Sequence, residues 1–137
     1  MMKKICSLSN LPNLVKKLKK DNKKIIFANG CFDVLHVGHI RYLEEARSLG
    51  DILIVGINND KSESQLKGQG RPIMQEEDRI EIVAALECVN YIVLFSDFTV
   101  ENLLKIIKPA IHAKGTDYTV ETVPERDIVL PMEVRLQ

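Results

Sequence analysis

The sequence predicts an α/β fold in a single domain, built on a doubly wound parallel sheet. Three observations predict it. Short apolar runs of strand length alternate along the chain with helix-length amphipathic ones. The clearest short run, residues 51–57 (DILIVGI), is apolar on both faces, as strands covered by helices on both sides are. Strands separated by helices of this length imply βαβ crossovers, and such crossovers join parallel strands. A chain of 137 residues is the size of one domain and buries enough surface to need no disulfide or metal staple.

Asn10, followed by Pro12, opens the first helix as its cap, with Leu11, Leu14, Val15 and Leu18 recurring at helical spacing. Residues 24–28 (KIIFA) read as a short buried strand. Residues 38–49 carry Ile40, Leu43, Ala46 and Leu49 on one stripe, a helix that stops at Gly50. The strand at 51–57 follows, and then residues 58–72, polar and glycine-bearing, read as a long loop. Residues 75–86 read as a helix, 91–95 (YIVLF) as a strand, and 99–108 as a helix stopped by Pro109. Residues 110–113 (AIHA) give a fourth strand and 127–130 a fifth. The expected strand order is 3-2-1-4-5. In such sheets ligands sit beyond the carboxyl ends of the strands, where the order reverses. The residues just after each strand therefore carry the functional information.

Composition narrows the function classes. With 45% hydrophobic and 28% charged residues the chain is globular rather than disordered. Formal net charge is zero, without the electrostatic footprint of a nucleic-acid binder, so no nucleic-acid partner is expected. No apolar run approaches the roughly 20 residues that cross a bilayer, and none follows a basic start, so neither a membrane nor export is expected. Cys6, Cys31 and Cys88 are odd in number and widely spaced, which suggests neither a disulfide framework nor a zinc pattern and suits a reducing cytoplasm. Residues 1–24 form a basic N-terminal helix region crowded with lysines. A solvated helix face accounts for them, with a patch for an anionic partner as the rival reading.

After the first strand the chain runs Asn29-Gly-Cys-Phe-Asp-Val-Leu-His-Val-Gly-His39. Gly30 lets backbone approach a ligand closely. Gly38, flanked by His36 and His39, stands at the entrance of a helix, whose unpaired amides and partial positive charge form a natural anion site. Two imidazoles there supply directional donors that follow negative charge developing on a phosphate. The rival readings are zinc ligation, for which no third ligand of suitable spacing is evident, and two structural histidines at a buried helix start. A dinucleotide site lacks its G-x-G-x-x-G run. Phosphate binding leads.

This segment resembles the His-x-Gly-His nucleotidyltransferase superfamily. Further segments look like the heptose 1-phosphate adenylyltransferase domain of bacterial ADP-heptose synthesis: Leu66-Lys-Gly-Gln-Gly-Arg-Pro72, Glu76-Glu-Asp-Arg79, Ala85-Leu-Glu-Cys-Val-Asn-Tyr91 and Lys114-Gly-Thr-Asp-Tyr118. Cys31 leans the same way, since the similar glycerol-3-phosphate cytidylyltransferases usually carry threonine there. The resemblance runs from about residue 25 to about 127. It implies a Rossmann-like nucleotidyltransferase domain over residues 25–137, cytoplasmic and commonly a homodimer. Such a domain couples a nucleoside triphosphate, ATP ahead of CTP, to a sugar phosphate such as heptose 1-phosphate, releasing pyrophosphate. Mg²⁺ is expected with the triphosphate, with no dedicated metal ligands in the chain. The alternatives are a CTP-dependent enzyme acting on glycerol 3-phosphate, an FAD-synthetase-like adenylyltransferase, and a non-catalytic nucleotide-binding module.

By the same resemblance His36, His39 and Lys67 are catalytic. Gly30, Cys31, Phe32, Gly38, Lys114 and Asp117 hold the nucleotide, and Asp33, Asp60, Arg71 and Arg79 the acceptor. Lys67 and Arg71 have surface positions as their rival reading, Asp117 a turn, and Arg79 an ion pair with Glu76 or Asp78. His112, inside a strand, reads as a core or dimer-face histidine. Relatives carry a Ser-Thr-Thr-like segment after the last strand, whereas this chain ends Val134-Arg-Leu-Gln137, so a C-terminally truncated domain is expected.

Overall fold

In the computed structural model, which describes residues 2–68, 70, 72–96, 100–115 and 132–136, five parallel strands form one sheet in the order β3-β2-β1-β4-β5. They are β1 (Ile25–Gly30), β2 (Ile52–Asn58), β3 (Tyr91–Phe95), β4 (Ile111–Gly115) and β5 (Met132–Leu136). This is the predicted order. β1 lies at the centre, pairing Ile25 to Gly30 with Ile52 to Ile57 on one side and Ile26 to Ala28 with Ile111 to Ala113 on the other. The strand order reverses between β1 and β4. The fifth strand lies at Met132–Leu136; the segment 127–130, where the sequence pointed, falls outside the described residues.

Alternation along β1 sends Ile26 and Ala28 to one face and Ile25 and Phe27 to the other. The first face is covered by α2 (Val37–Ser48) through Leu43 and Ala46, and by α4 (Glu76–Ala84) through Val83 and Ala84. The second is covered by α1 (Leu11–Lys20) through Leu11, Val15 and Leu18, and by α5 (Glu101–Ile107) through Leu103, Leu104 and Ile107. The basic N-terminal region thus contributes an apolar stripe to the core, while Lys16, Lys17, Lys19 and Lys20 point to solvent. Asn10 occupies the cap position of α1 without a capping bond from its side chain; its backbone is already helical. α5 ends with Lys108 in the left-handed region (φ 44°), and Pro109 prevents its continuation.

One element departs from the sequence reading. The expected loop over 58–72 contains the end of β2 and a further helix, α3 (Asp60–Lys67). Its residues DKSESQLK offer no apolar stripe, which is why periodicity missed it. Its start is signed instead by Asn59, whose side chain accepts from the Ser62 amide at 2.9 Å, an N-cap.

Candidate active site

The loop between β1 and α2 occupies the carboxyl edge of the sheet beside the β1/β4 switch point. Two of its non-glycine residues are left-handed, Phe32 (φ 54°) and Val34 (φ 56°). Each such residue costs about 1–3 kcal/mol, and a β-branched valine there is a genuine outlier. Phe32 folds back into the core over Gly30, where an added Cβ would stand 3.1 Å from the phenyl ring. A side chain at position 30 would therefore press on the Phe32 ring. Val34 is turned out to solvent.

His36 caps α2. Its Nδ1 accepts from the Gly38 amide at 3.0 Å, and the Nδ1 of His39 accepts from the His36 amide at 3.1 Å. The rings lie 4.0 Å apart between centroids, and His39 meets the edge of Phe32 at 5.6 Å. Gly38 is glycine because a Cβ there would fall 2.7 Å from Cε1 of His36. With both Nδ1 atoms accepting, the neutral rings carry their protons on Nε2. That gives two N–H donors at the positive end of a helix. His36 is exposed and His39 half-exposed, so an anion has access to both.

The other candidates divide. Cys31 is half-buried in the loop, its thiol 3.8 Å from Oδ1 of Asn58. Asp33, expected to meet the acceptor, has its carboxylate engaged by the amides of Ile73 (2.8 Å) and Met74 (2.8 Å), so it ties the loop to the segment before α4. Arg79, also assigned to the acceptor, is fully buried, and its guanidinium donates to backbone carbonyls and to Asp60 Oδ1 at 2.7 Å. The ion pair it forms is with Asp60, whose amide in turn donates to Glu76 at 2.9 Å. Asp60, read from the sequence as an acceptor contact, pairs its Oδ1 with Arg79 and keeps a side chain 36% exposed. Lys67 closes α3, with its side chain outside the described residues, as are Arg71 and Asp117.

Lys114 is buried at the carboxyl edge of β4, one residue past the Ala28–Ala113 pair. Strand alternation puts it on the α1/α5 face with His112, whereas His36 and His39 enter from the α2 face. His112 is a core histidine: its Nε2 lies 2.8 Å from Oδ1 of Asn29, and Nδ1 is buried without a partner. Burial, then the nearby Lys114 charge, lowers its pKa from 6.5 to about 3, so it stays neutral. Three positioning residues escaped the sequence reading. Tyr42 donates to the Ala113 carbonyl at 2.6 Å and fastens α2 to β4. Asn29, next to last in β1, and Asn58, last in β2, direct their side chains to His112 and Ser62. Their signal was position, a polar residue closing an apolar strand.

Among the described residues no group of three or more His, Cys, Asp or Glu is placed to hold a metal ion. No helix of the described residues is long and apolar enough to cross a membrane.

Comparison with known proteins follows the same segment. The chain is 47% identical over 126 residues to the bifunctional protein HldE of Geobacter metallireducens, covering 92% of this chain and 26% of that protein. It is 50% identical over 124 residues to HldE of Aliarcobacter butzleri, covering 90% of this chain and again 26% of the relative. The chain thus spans about a quarter of the curated relatives it matches. Among solved structures, the lipopolysaccharide core biosynthesis protein from Thermoplasma volcanium superposes with TM-score 0.72 at 29% identity, over 84% of this chain and 97% of that one. The pantoate-beta-alanine ligase from Francisella tularensis shares the fold, with TM-score 0.72 at 21% identity over 96% of this chain and 66% of that one. A sequence model described as cytidylyltransferase-like matches residues 27–134. The loop, the paired histidines and the strand order therefore sit inside a matched region covering most of the chain: this is a nucleotidyltransferase domain, and the chain belongs to the cytidylyltransferase-like family.

Proposed function

We propose that this domain transfers a nucleotidyl group from ATP to a sugar phosphate, with heptose 1-phosphate as the acceptor and pyrophosphate as the leaving group. The observation that carries the reading is the reciprocal capping of α2 by His36 and His39, which fixes two imidazoles at a helix N-terminus. The sugar comes from the sequence resemblance, supported by the HldE relatives and by the likeness to a lipopolysaccharide core biosynthesis protein.

In the reaction an oxygen of the acceptor phosphate attacks the α-phosphorus. The new O–P bond forms as the bond to the β-phosphate oxygen breaks, and the electron pair leaves with pyrophosphate. No covalent enzyme intermediate is involved. Charge on the phosphate oxygens shifts during this exchange, and preorganised donors stabilise it without reorganising. The two imidazoles and the positive end of the α2 dipole supply that stabilisation. Lys67 and Lys114 add cations toward phosphate, and Asp117 holds the nucleoside. A Mg²⁺ ion would be held by the triphosphate's own oxygens and would supply neutralisation of the charge on the departing pyrophosphate.

A second reading, transfer from CTP to an alcohol phosphate, is favoured by the description of the matching family. Pyrophosphate release separates the two, measured with ATP and CTP against heptose 1-phosphate and glycerol 3-phosphate. The account expects the ATP and heptose 1-phosphate pair to turn over fastest. Turnover only with CTP would establish the second reading, and binding without turnover in every combination would indicate a nucleotide-binding module.

A further inference from the structure

We infer that Arg79 is a positioning residue for the loop that carries His36 and His39, acting through backbone carbonyls rather than by touching substrate. The inference rests on the reading of that loop as a polyphosphate site. Its basis is the set of partners around one buried guanidinium. Nη1 donates to the Cys31 carbonyl at 2.6 Å and to the Asn58 carbonyl at 2.7 Å, Nε to the Met74 carbonyl at 3.1 Å, and Nη2 to Asp60 at 2.7 Å. These partners are the start of the β1–α2 loop, the end of β2, the turn before α4 and the first residue of α3. One side chain on α4 therefore joins four segments at the carboxyl edge of the sheet.

What it holds is strained. Phe32 and Val34, both left-handed, follow directly on the carbonyl that Arg79 grips. Asp33 lies between them and takes the amides of Ile73 and Met74, whose own carbonyl Arg79 holds from the other side. A closed circuit results, from Arg79 to Cys31, along the loop to Asp33, and back through Met74. A buried cation is tolerated only when paired and fully hydrogen-bonded, and this one is, with Asp60 supplying the charge. A planar fork reaches these partners together; a lysine ammonium is a single point that cannot span them.

The test is Arg79→Lys, read by backbone amide hydrogen exchange and by ATP binding. The amides of His36, Ile73 and Met74 report the loop, because each donates to a side chain of the circuit or the cap. The expected result is exchange at least tenfold faster at these three amides, unchanged exchange in β1 to β3, and ATP affinity at least tenfold weaker. A uniform acceleration across strands and loop would overturn the inference, since it would mean simple loss of stability. Faster loop exchange with unchanged ATP affinity would also overturn it. Should Arg79→Lys not fold, Asp60→Asn, which leaves the contacts to the three carbonyls, serves with the same readouts and a smaller expected change. If the unaltered chain binds no ATP, the proposed function fails, while the exchange pattern still decides whether Arg79 holds the loop.

Discussion

The amide of His36 donates to Nδ1 of His39 at 3.1 Å, so the two imidazoles at the entrance of α2 are linked through the helix cap itself. The capping bonds occupy both Nδ1 atoms, which puts the proton of each neutral ring on Nε2. Structure and chemistry are divided between the two nitrogens of each ring.

Replacing His39 by alanine removes one phosphate donor and one capping acceptor together. Turnover should fall about 10²–10³-fold, the usual effect of deleting a transition-state donor. The lost cap is worth about 1 kcal/mol, a fall in Tm of about 4 °C for a domain of this size. Steady-state kinetics and thermal unfolding check both numbers; near-normal turnover would remove His39 from the mechanism.

Gly38→Ala tests geometry alone. The new methyl would lie 2.7 Å from Cε1 of His36, so the ring must move and its donor with it. Misplacement of this order reduces kcat/KM by about 10²-fold. Alanine favours the helix by up to about 1 kcal/mol, while the displaced ring gives up a capping bond worth about as much, so Tm should change little. A variant with full kcat/KM would mean that the position of His36 is unimportant.

The sequence was informative wherever a local signal matched a local need. The apolar runs gave the strands and their parallel order, and the run from Asn29 to His39 placed the imidazoles at a helix start. It was silent where the deciding partner was distant. Asp33, Asp60 and Arg79 bind amides, carbonyls and one another, and apart from the Met74 carbonyl, 5 residues from Arg79, these partners lie 19 to 48 residues away in sequence. No spacing rule within one segment reports such contacts. α3 was missed for a different reason, a helix set by its cap and lacking an apolar face.

His112 predicts an acid-sensitive core. Above pH 6.5 its imidazole is neutral in both folded and unfolded chains and adds no slope. Below that value the unfolded chain takes up a proton that the folded chain refuses until about pH 3. Stability therefore falls as pH falls through this window, by up to about 1.4 kcal/mol per unit from this residue. Urea unfolding between pH 4 and 7 should show a shallower fall for His112→Leu than for the natural chain. Parallel curves would contradict the assignment.

Leu11→Ala examines how far the N-terminal helix belongs to the core. Leu11 is fully buried against the α5 face of the sheet. Truncation should destabilise the whole domain by about 2–5 kcal/mol in one cooperative transition. A separate early transition, leaving the rest at its original midpoint, would show the helix to be an appendage.

The most direct test of the central claim is histidine nitrogen NMR during titration with ATP and Mg²⁺. His36 and His39 should carry their protons on Nε2 before nucleotide is added, and both Nε2 signals should shift to saturation together while His112 does not respond. Protons on Nδ1, or nucleotide binding that leaves both Nε2 signals unmoved, would contradict it.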